Sequence, residues 1–320
     1  MSVAADLVGD IGATNGRFAV VGSDGTIGKT RVFSIRDYPT IADAIRAYST
    51  ELAPSHVWRE AVLAVASPVT GDQVSLTNHP WSFSIRDLGR SLGLERLQVI
   101  NDFAAVALSI PKLQSAEVAQ IGGGSAVPDA PRGVIGPGTG LGVSALIPDG
   151  DGWVPVQSEG GHVTMPANTD RESQVLKQLR LRFDHVSAER VLSGPGLSNL
   201  YTALCQLDGV SAAMLSPSQI VESRAQNPQA REAVSMFCAM LGAVARNLAL
   251  TLGARGGIYV AGGIVPRMGP AFDRSIFRRE FEGRGRFFEY MNGIPTFVVT
   301  RPLPALLGAA QLLRRVNKHR

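Results

Sequence analysis

Asp6-Leu7-Val8-Gly9-Asp10-Ile11-Gly12-Ala13-Thr14-Asn15-Gly16-Arg17-Phe18-Ala19-Val20-Val21 is a pair of apolar runs broken by a short turn rich in glycine and polar residues. Residues 6–11 and 16–21 read as strands joined by 12–15. Ser23-Asp24-Gly25 reads as a second turn, leading to a third strand near 30–35. Glycine lets a backbone approach phosphate oxygens and aim N–H groups at them. Thr14 and Asn15 add side-chain donors, and Asp10 is suited to a hydrated magnesium ion. The same residue types are common in hairpin turns, so this loop alone does not separate the two roles.

The pattern recurs further on. A strand at 132–135 leads into Gly136-Pro137-Gly138-Thr139-Gly140-Leu141-Gly142. A strand at 141–147, a turn at Asp149-Gly150-Asp151-Gly152 and a strand at 153–156 follow. Four glycines and a threonine within seven residues exceed what a hairpin needs. No Lys-Ser/Thr pair follows, which excludes a Walker A loop, and a strand rather than a helix follows, which excludes a dinucleotide fingerprint. Two halves of this kind facing one another would set two glycine turns across a cleft, a place to hold a polyphosphate.

Between and beyond these halves the chain alternates strands with helices. Thr40 is placed to cap a helix at 41–52. Strands at 61–66 and 97–100 are apolar enough for buried parallel positions. A helix at 103–110 stops at Pro111, and the Gly/Ser/Pro-rich stretch 122–131 reads as the link between lobes. Pro195 opens a helix carrying Leu197, Leu200, Tyr201, Leu204 and Leu207 at helical spacing. Residues 230–252 read as a buried helix running into a strand at 257–260 and then Ala261-Gly262-Gly263. A helix at 306–316 closes the chain.

Three polar groups stand out against this frame. Asn101-Asp102 falls at a strand's carboxyl end, where open α/β sheets place ligands. A carboxylate there can accept the proton of an attacking hydroxyl, as phosphoryl transfer requires, or it can simply cap the helix. In Glu159-Gly160-Gly161-His162, the acid can accept from sugar hydroxyls and the histidine can donate or accept; a solvated loop is the plain alternative. Glu189 has its own plain alternative, a helix-surface charge beside Arg190.

The totals narrow the class. At 320 residues, with 45% hydrophobic and 18% charged, the chain suits two domains. A net charge of +4, from 31 basic and 27 acidic residues, is too even to require nucleic acid. The basic tail Arg314, Arg315, Lys318, His319 and Arg320 reads as complementing a last helix's dipole. No basic leader opens the chain, and no run of about 18 apolar residues lacks polar interruption, so no membrane association is expected. Cys205 and Cys238 lack CxxC spacing; they read as core residues in a reducing cytosol, too few for a four-ligand zinc site.

Taken in order, the motifs 7–15, Thr77-Asn78-His79-Pro80-Trp81, Ile100-Asn101-Asp102-Phe103, Gly138-Thr139-Gly140-Leu141-Gly142, Ser158-Glu159-Gly160-Gly161-His162, 185–196 and Ala261-Gly262-Gly263-Ile264-Val265-Pro266-Arg267 form a specific set. The chain resembles the bacterial glucokinase family, the group distinct from ROK-type kinases, nearly end to end. The resemblance implies an α/β, two-lobed actin-like ATPase (ribonuclease H-like) fold with a mixed sheet in each lobe. A small lobe of 2–112 plus 303–320 and a large lobe of 113–302 would hold the active site between them. It implies ATP-dependent phosphorylation of glucose at the 6-hydroxyl, with Mg2+, in a cytoplasmic homodimer. Asp102 would be the general base, and Asn101, Asp102, Glu159, His162 and Glu189 would bind the sugar. Gly9, Asp10, Ile11, Gly12, Ala13 and Thr14 would form one phosphate turn, with Asp10 near magnesium. Thr139 and Gly140 would clamp the phosphates from the other side, and Gly262 and Gly263 would approach the adenosine end.

Ala13 stands where the family usually has glycine, and its methyl would crowd the phosphates or forbid a positive φ. Gly16 stands where alanine is frequent. Two rivals share the fold: a kinase for another hexose and a non-catalytic sugar sensor. The low cysteine count argues against the zinc motif of many ROK-type kinases, and retention of Asp102 argues against the sensor.

Overall fold

A computed structural model describes residues 3–317 apart from 53–55, 78, 151, 270–271, 273–275 and 284. Asn78, Asp151, Lys318, His319 and Arg320 therefore lie outside the described residues. The strands in chain order are β1 (Val3–Ile11), β2 (Asn15–Val21), β3 (Arg31–Ser34), β4 (His56–Val65), β5 (Gln73–Ser75), β6 (Ser82–Ser84), β7 (Arg96–Asn101), β8 (Val118–Ile121), β9 (Arg132–Pro137), β10 (Leu141–Asp149), β11 (Gly152–Gln157), β12 (Ile258–Val260) and β13 (Thr296–Val299). Internal contacts divide the chain into two units. One takes the chain through Leu113, Trp153–Ser158 and the chain from Arg301 onward; the other takes Gln114–Gly152 and Glu159–Thr300.

The first unit is built on a mixed five-stranded sheet in the order β3-β2-β1-β4-β7. β1, β4 and β7 run parallel, β2 runs antiparallel to β1, and β3 runs antiparallel to β2. Alternate residues of a strand face opposite sides, so Leu7 and Val8 enter different cores. Leu7, Ile11, Phe18 and Phe33 pack with Tyr48 and Ile45 of the helix Ile41–Leu52. Val8, Ala19 and Val62 pack on the other face against Leu306, Ala309, Ala310 and Leu313 of the closing helix Pro304–Asn317. That two-sided burial explains the unbroken apolar run of β4, whose residues Ala61, Val62, Leu63, Ala64 and Val65 are all buried.

The closing helix also sits against the helix Asp102–Ser109, and a glycine makes the approach possible. A Cβ at Gly308 would lie 1.7 Å from the carbonyl oxygen of Ala105. The two backbones are thus in direct contact, fixing the helix that begins at Asp102.

The second unit carries the strands β10-β9-β12-β13-β8, paired in that order. Its core centres on the helix Pro228–Leu252, 25 residues long and apolar enough by length and composition to cross a membrane. Its buried residues, among them Phe237, Met240, Leu241 and Val244, pack with Leu200 and Leu204 of the helix Gly194–Leu207 and with Phe277 and Phe281. The helix starts on an Asn227 cap that accepts from the Ala230 N–H and stops at Gly253, where φ is 59°.

The stretch 122–131 does not link the units, contrary to the sequence expectation. It joins β8 to β9 inside the second unit. Gln120 turns its side-chain amide back onto the carbonyls of Gly122, Gly123 and Gly124, and the Val127 N–H donates to the Arg255 carbonyl. Its glycines serve a turn rather than a flexible connection.

Candidate active site

In the first unit, parallel pairing decides what comes together. Ile11 pairs with Val65 across β1 and β4, and Val65 pairs with Asn101 across β4 and β7. The carboxyl ends of β1 and β7 therefore stand level, placing the turn after Ile11 and the Asn101-Asp102 pair on one sheet edge. Thr77 is tied to the same edge: Ser67 Oγ, just past β4, accepts from the Thr77 N–H at 2.8 Å. Trp81, the last residue of that motif, is buried and donates its indole N–H to the Tyr38 carbonyl at 3.0 Å. This tryptophan holds the loop in place.

The stretch 9–14 is part strand and part turn. Gly9 lies buried within β1, paired with Phe18 and Leu63, and a Cβ there would meet Leu63 Cδ2 at 2.7 Å. Ile11 is fully buried in the core. Only main-chain atoms of these two are available to a ligand, and glycine at position 9 answers to core packing. The turn proper is 12–14, closed by the Gly12 N–H donating to the Asn15 carbonyl at 3.0 Å. Ala13 is not at a positive φ; among the described non-glycine residues only Leu303 is. The Ala13 methyl thus introduces no backbone strain.

Asp10 faces Arg17 across the hairpin, with Arg17 Nη1 3.2 Å from Asp10 Oδ2. Burial pushes the Asp10 carboxyl above its ordinary value, and the guanidinium pulls it back only in part. Arg17 was not singled out from the sequence, although its place opposite Asp10 follows from the symmetry of the hairpin.

Asn101, not Asp102, is the helix cap. Its Oδ1 accepts from the N–H groups of Phe103 and Ala104 at 2.9 and 3.1 Å. Asn101 is buried, and with its oxygen on the helix, Nδ2 is the atom suited to donate to a ligand. Asp102 opens the helix partly exposed, its Oδ1 accepting from the Phe103 N–H at 2.8 Å.

In the second unit the gathering point is Leu141. β9 and β10 form a hairpin whose turn, 138–140, is closed by the Gly138 N–H donating to the Gly140 carbonyl at 2.8 Å. Thr139 is exposed at its tip. The Leu141 N–H donates to Glu189 Oε2 at 2.9 Å. On its other side, a Cβ at Gly161 would lie 2.0 Å from the Leu141 carbonyl oxygen, so the turn carrying Glu159 and His162 abuts the same residue. The Met165 N–H to Val186 and Ala188 N–H to Val163 bonds, 3.0 and 2.8 Å, tie that turn's continuation to the segment of Glu189.

Glu189 is thus no helix-surface charge; it lies in a 3-10 turn, Ala188–Arg190, and is part-buried. Glu159 and His162 are open to solvent, their side chains 51% and 59% exposed and 3.9 Å apart at Oε2 and Nε2.

Gly262 and Gly263 follow β12, which pairs in parallel with β9. Gly262 has φ 83°, and a Cβ there would lie 2.3 Å from the Pro137 carbonyl oxygen. A glycine is required by both backbone and space, and it brings this loop beside the 138–140 turn. Gly263 meets nothing nearer than Arg267 Nη2 at 3.9 Å. Among the described residues, no group of three His, Cys, Asp or Glu side chains gathers to hold a metal.

Mixed sheets in two α/β units are the architecture of the sugar kinases with the actin-like ATPase fold. A ROK family glucokinase from Streptomyces griseus, solved with glucose and AMPPNP, shares this fold at TM-score 0.67 and 20% identity, over 97% of this chain and 99% of that one. The chain belongs to the glucokinase family: the Glucokinase family model matches residues 7–316. It is 50% identical to a glucokinase of Paramagnetospirillum magneticum (strain ATCC 700264 / AMB-1), over 96% of this chain and 97% of that protein. It is also similar to the crystal structure of a glucokinase from an Antarctic psychrotroph, at TM-score 0.86 and 35% identity, over 97% of this chain and 99% of that one.

Proposed function

We propose that this protein transfers the γ-phosphoryl group of ATP to the 6-hydroxyl of glucose, with Asp102 as the general base. The observation that carries the reading is the level register of Ile11, Val65 and Asn101, which sets a carboxylate and a glycine turn on one sheet edge. Phosphoryl transfer asks the protein mainly for positioning and charge stabilisation, which backbone turns and a few carboxylates supply. In this reading Asp102 takes the sugar hydroxyl's proton, and the Phe103 N–H fixes the orientation of its carboxylate. Asn101 donates through Nδ2, while Glu189, Glu159 and His162 bond the remaining hydroxyls. The 12–14 and 138–140 turns present main-chain N–H groups to the phosphates, and Gly262 supports the second turn from beneath.

Magnesium belongs to the same proposal. An ion that keeps its waters and is held largely by nucleotide phosphates needs one carboxylate from the protein, and Asp10 fits that demand. The Arg17 contact uses Oδ2 and balances the carboxylate's charge when no ion is near. The cytoplasm as location and a homodimer as assembly are part of the reading by family resemblance.

A coupled assay of ADP formation with magnesium-ATP and a panel of hexoses tests the proposal. Glucose-dependent turnover is expected. Turnover on another hexose alone would move the substrate, and glucose binding without turnover on any sugar would refute the transferase.

A further inference from the structure

We infer that Gly140 is a sugar-site residue: its missing side chain makes the space in which the Glu189 carboxylate is held for glucose. This rests on the reading of Glu189 as a sugar ligand.

The argument begins with what glycine does at each position of the turn. Neither Gly138 nor Gly140 is at a positive φ, so the backbone conformation does not demand glycine at either place. At Gly138 an added Cβ would meet only the Gly140 carbonyl oxygen, at 4.0 Å. At Gly140 it would lie 2.4 Å from Glu189 Oε2 and 3.3 Å from Glu189 Cδ. The volume a side chain would take at position 140 is therefore occupied by one particular group, the carboxylate.

The next residue completes the seat. The Leu141 N–H donates to that same Oε2 at 2.9 Å, a charge-assisted bond. One carboxylate oxygen is fixed between the bare Cα of residue 140 and the amide of residue 141, which leaves Oε1 to face a ligand. Preorganisation of this kind is what a polar pocket needs to discriminate among hydroxyl patterns. The assignment changes the meaning of a glycine in a phosphate-type turn: the turn is bare at 140 for the sugar's acid, not for the nucleotide.

Because the obstructed atom is the end of a flexible side chain, Gly140→Ala will displace the carboxylate rather than unfold the unit. Losing a hydrogen bond to a charged group costs about 1.5–3 kcal/mol, so glucose affinity is expected to fall roughly 10- to 100-fold. ADP affinity is expected to fall less than glucose affinity, since the nucleotide meets the turn through main-chain N–H groups that keep their places while the carboxylate is displaced. In a Glu189→Ala background, Gly140→Ala should cost no further glucose affinity, because its target is gone.

The experiment is calorimetric titration of glucose and of ADP into wild type, Gly140→Ala, Glu189→Ala and the double variant, with a thermal melt of each. Selective, non-additive loss of glucose binding is the expected result. Unchanged glucose affinity in Gly140→Ala, an equal loss for ADP, or additive losses would each overturn the inference. Should Gly140→Ala fail to fold, the double variant decides: folding there supports the carboxylate as the obstruction, and failure there refutes it. A wild type that does not bind glucose would instead sink the underlying assignment of the sugar site, a result separate from any of these.

Discussion

Asn101 caps the helix that its neighbour Asp102 begins, accepting from the Phe103 and Ala104 N–H groups at 2.9 and 3.1 Å. Two adjacent polar residues at a strand's end thus divide their duties. One holds the helix, and the other presents its carboxylate at a fixed place. The division lets each role be removed separately.

Asn101→Asp keeps an acceptor for the two N–H groups but loses the Nδ2 donor; Asn101→Ala loses both. Thermal melts should place Asp close to wild type and Ala lower by about 1 kcal/mol of stability. Glucose titrations should show both variants weakened. A glucose affinity in Asn101→Asp equal to wild type would show that Nδ2 does not reach the sugar.

Arg17→Met tests the electrostatics of Asp10. Burial already raises the Asp10 carboxyl, and removing the guanidinium raises it further. A raised carboxyl binds its proton more tightly in the folded state, so its contribution to stability is greatest at acidic pH and is lost as pH rises through the folded value. Melts across pH 4–8 should therefore show the variant falling increasingly below wild type toward the alkaline end. With the pair partly exposed, the gap there is expected to be about 1–3 kcal/mol, less than for a fully buried pair. A gap that narrows with rising pH would contradict this account of the pair.

The two glycines after β12 should behave differently. Gly262→Ala meets both a positive φ and the Pro137 carbonyl at 2.3 Å, whereas Gly263→Ala meets neither. The first is expected to cost about 3 kcal/mol or more and to weaken ATP binding through the adjoining turn. The second should melt within about 1 kcal/mol of wild type. Comparable melts for the two variants would show that the loop relaxes to accept a side chain at 262.

Much of the fold was legible because its strands carry distinct hydrophobic patterns. β4 reads as buried on both sides from Ala61 to Val65, and the glycine turns at 12–14 and 138–140 are unmistakable breaks. The short pairing of β13 with β8 was not legible. It depends on Thr296, a buried polar residue whose hydroxyl donates to the Ile121 carbonyl 175 positions away. The stretch 122–131 misled for a related reason: glycine composition is the same in a linker and in a tight turn, and contacts such as those of Gln120 and Val127 distinguish them.

The chemistry divided similarly. The family resemblance pointed to Asp102 and Glu189, but not to their surroundings. The bond from Leu141 to Glu189 spans 48 positions, and nothing local in either segment announces it. Gly9 and Ile11 were grouped with the phosphate turn by adjacency, although strand alternation turns them into the core.

The most direct test of the central claim is turnover by Asp102→Asn at saturating glucose and magnesium-ATP, with the glucose affinity of the same variant measured alongside. The substitution keeps size and hydrogen bonding near the Phe103 N–H while removing the base. Turnover is expected to fall by a factor on the order of a thousand or more, in keeping with the loss of general base catalysis, while glucose still binds within about tenfold of wild type. Turnover within about tenfold of wild type would show that Asp102 is not the base and that the proton leaves by another route.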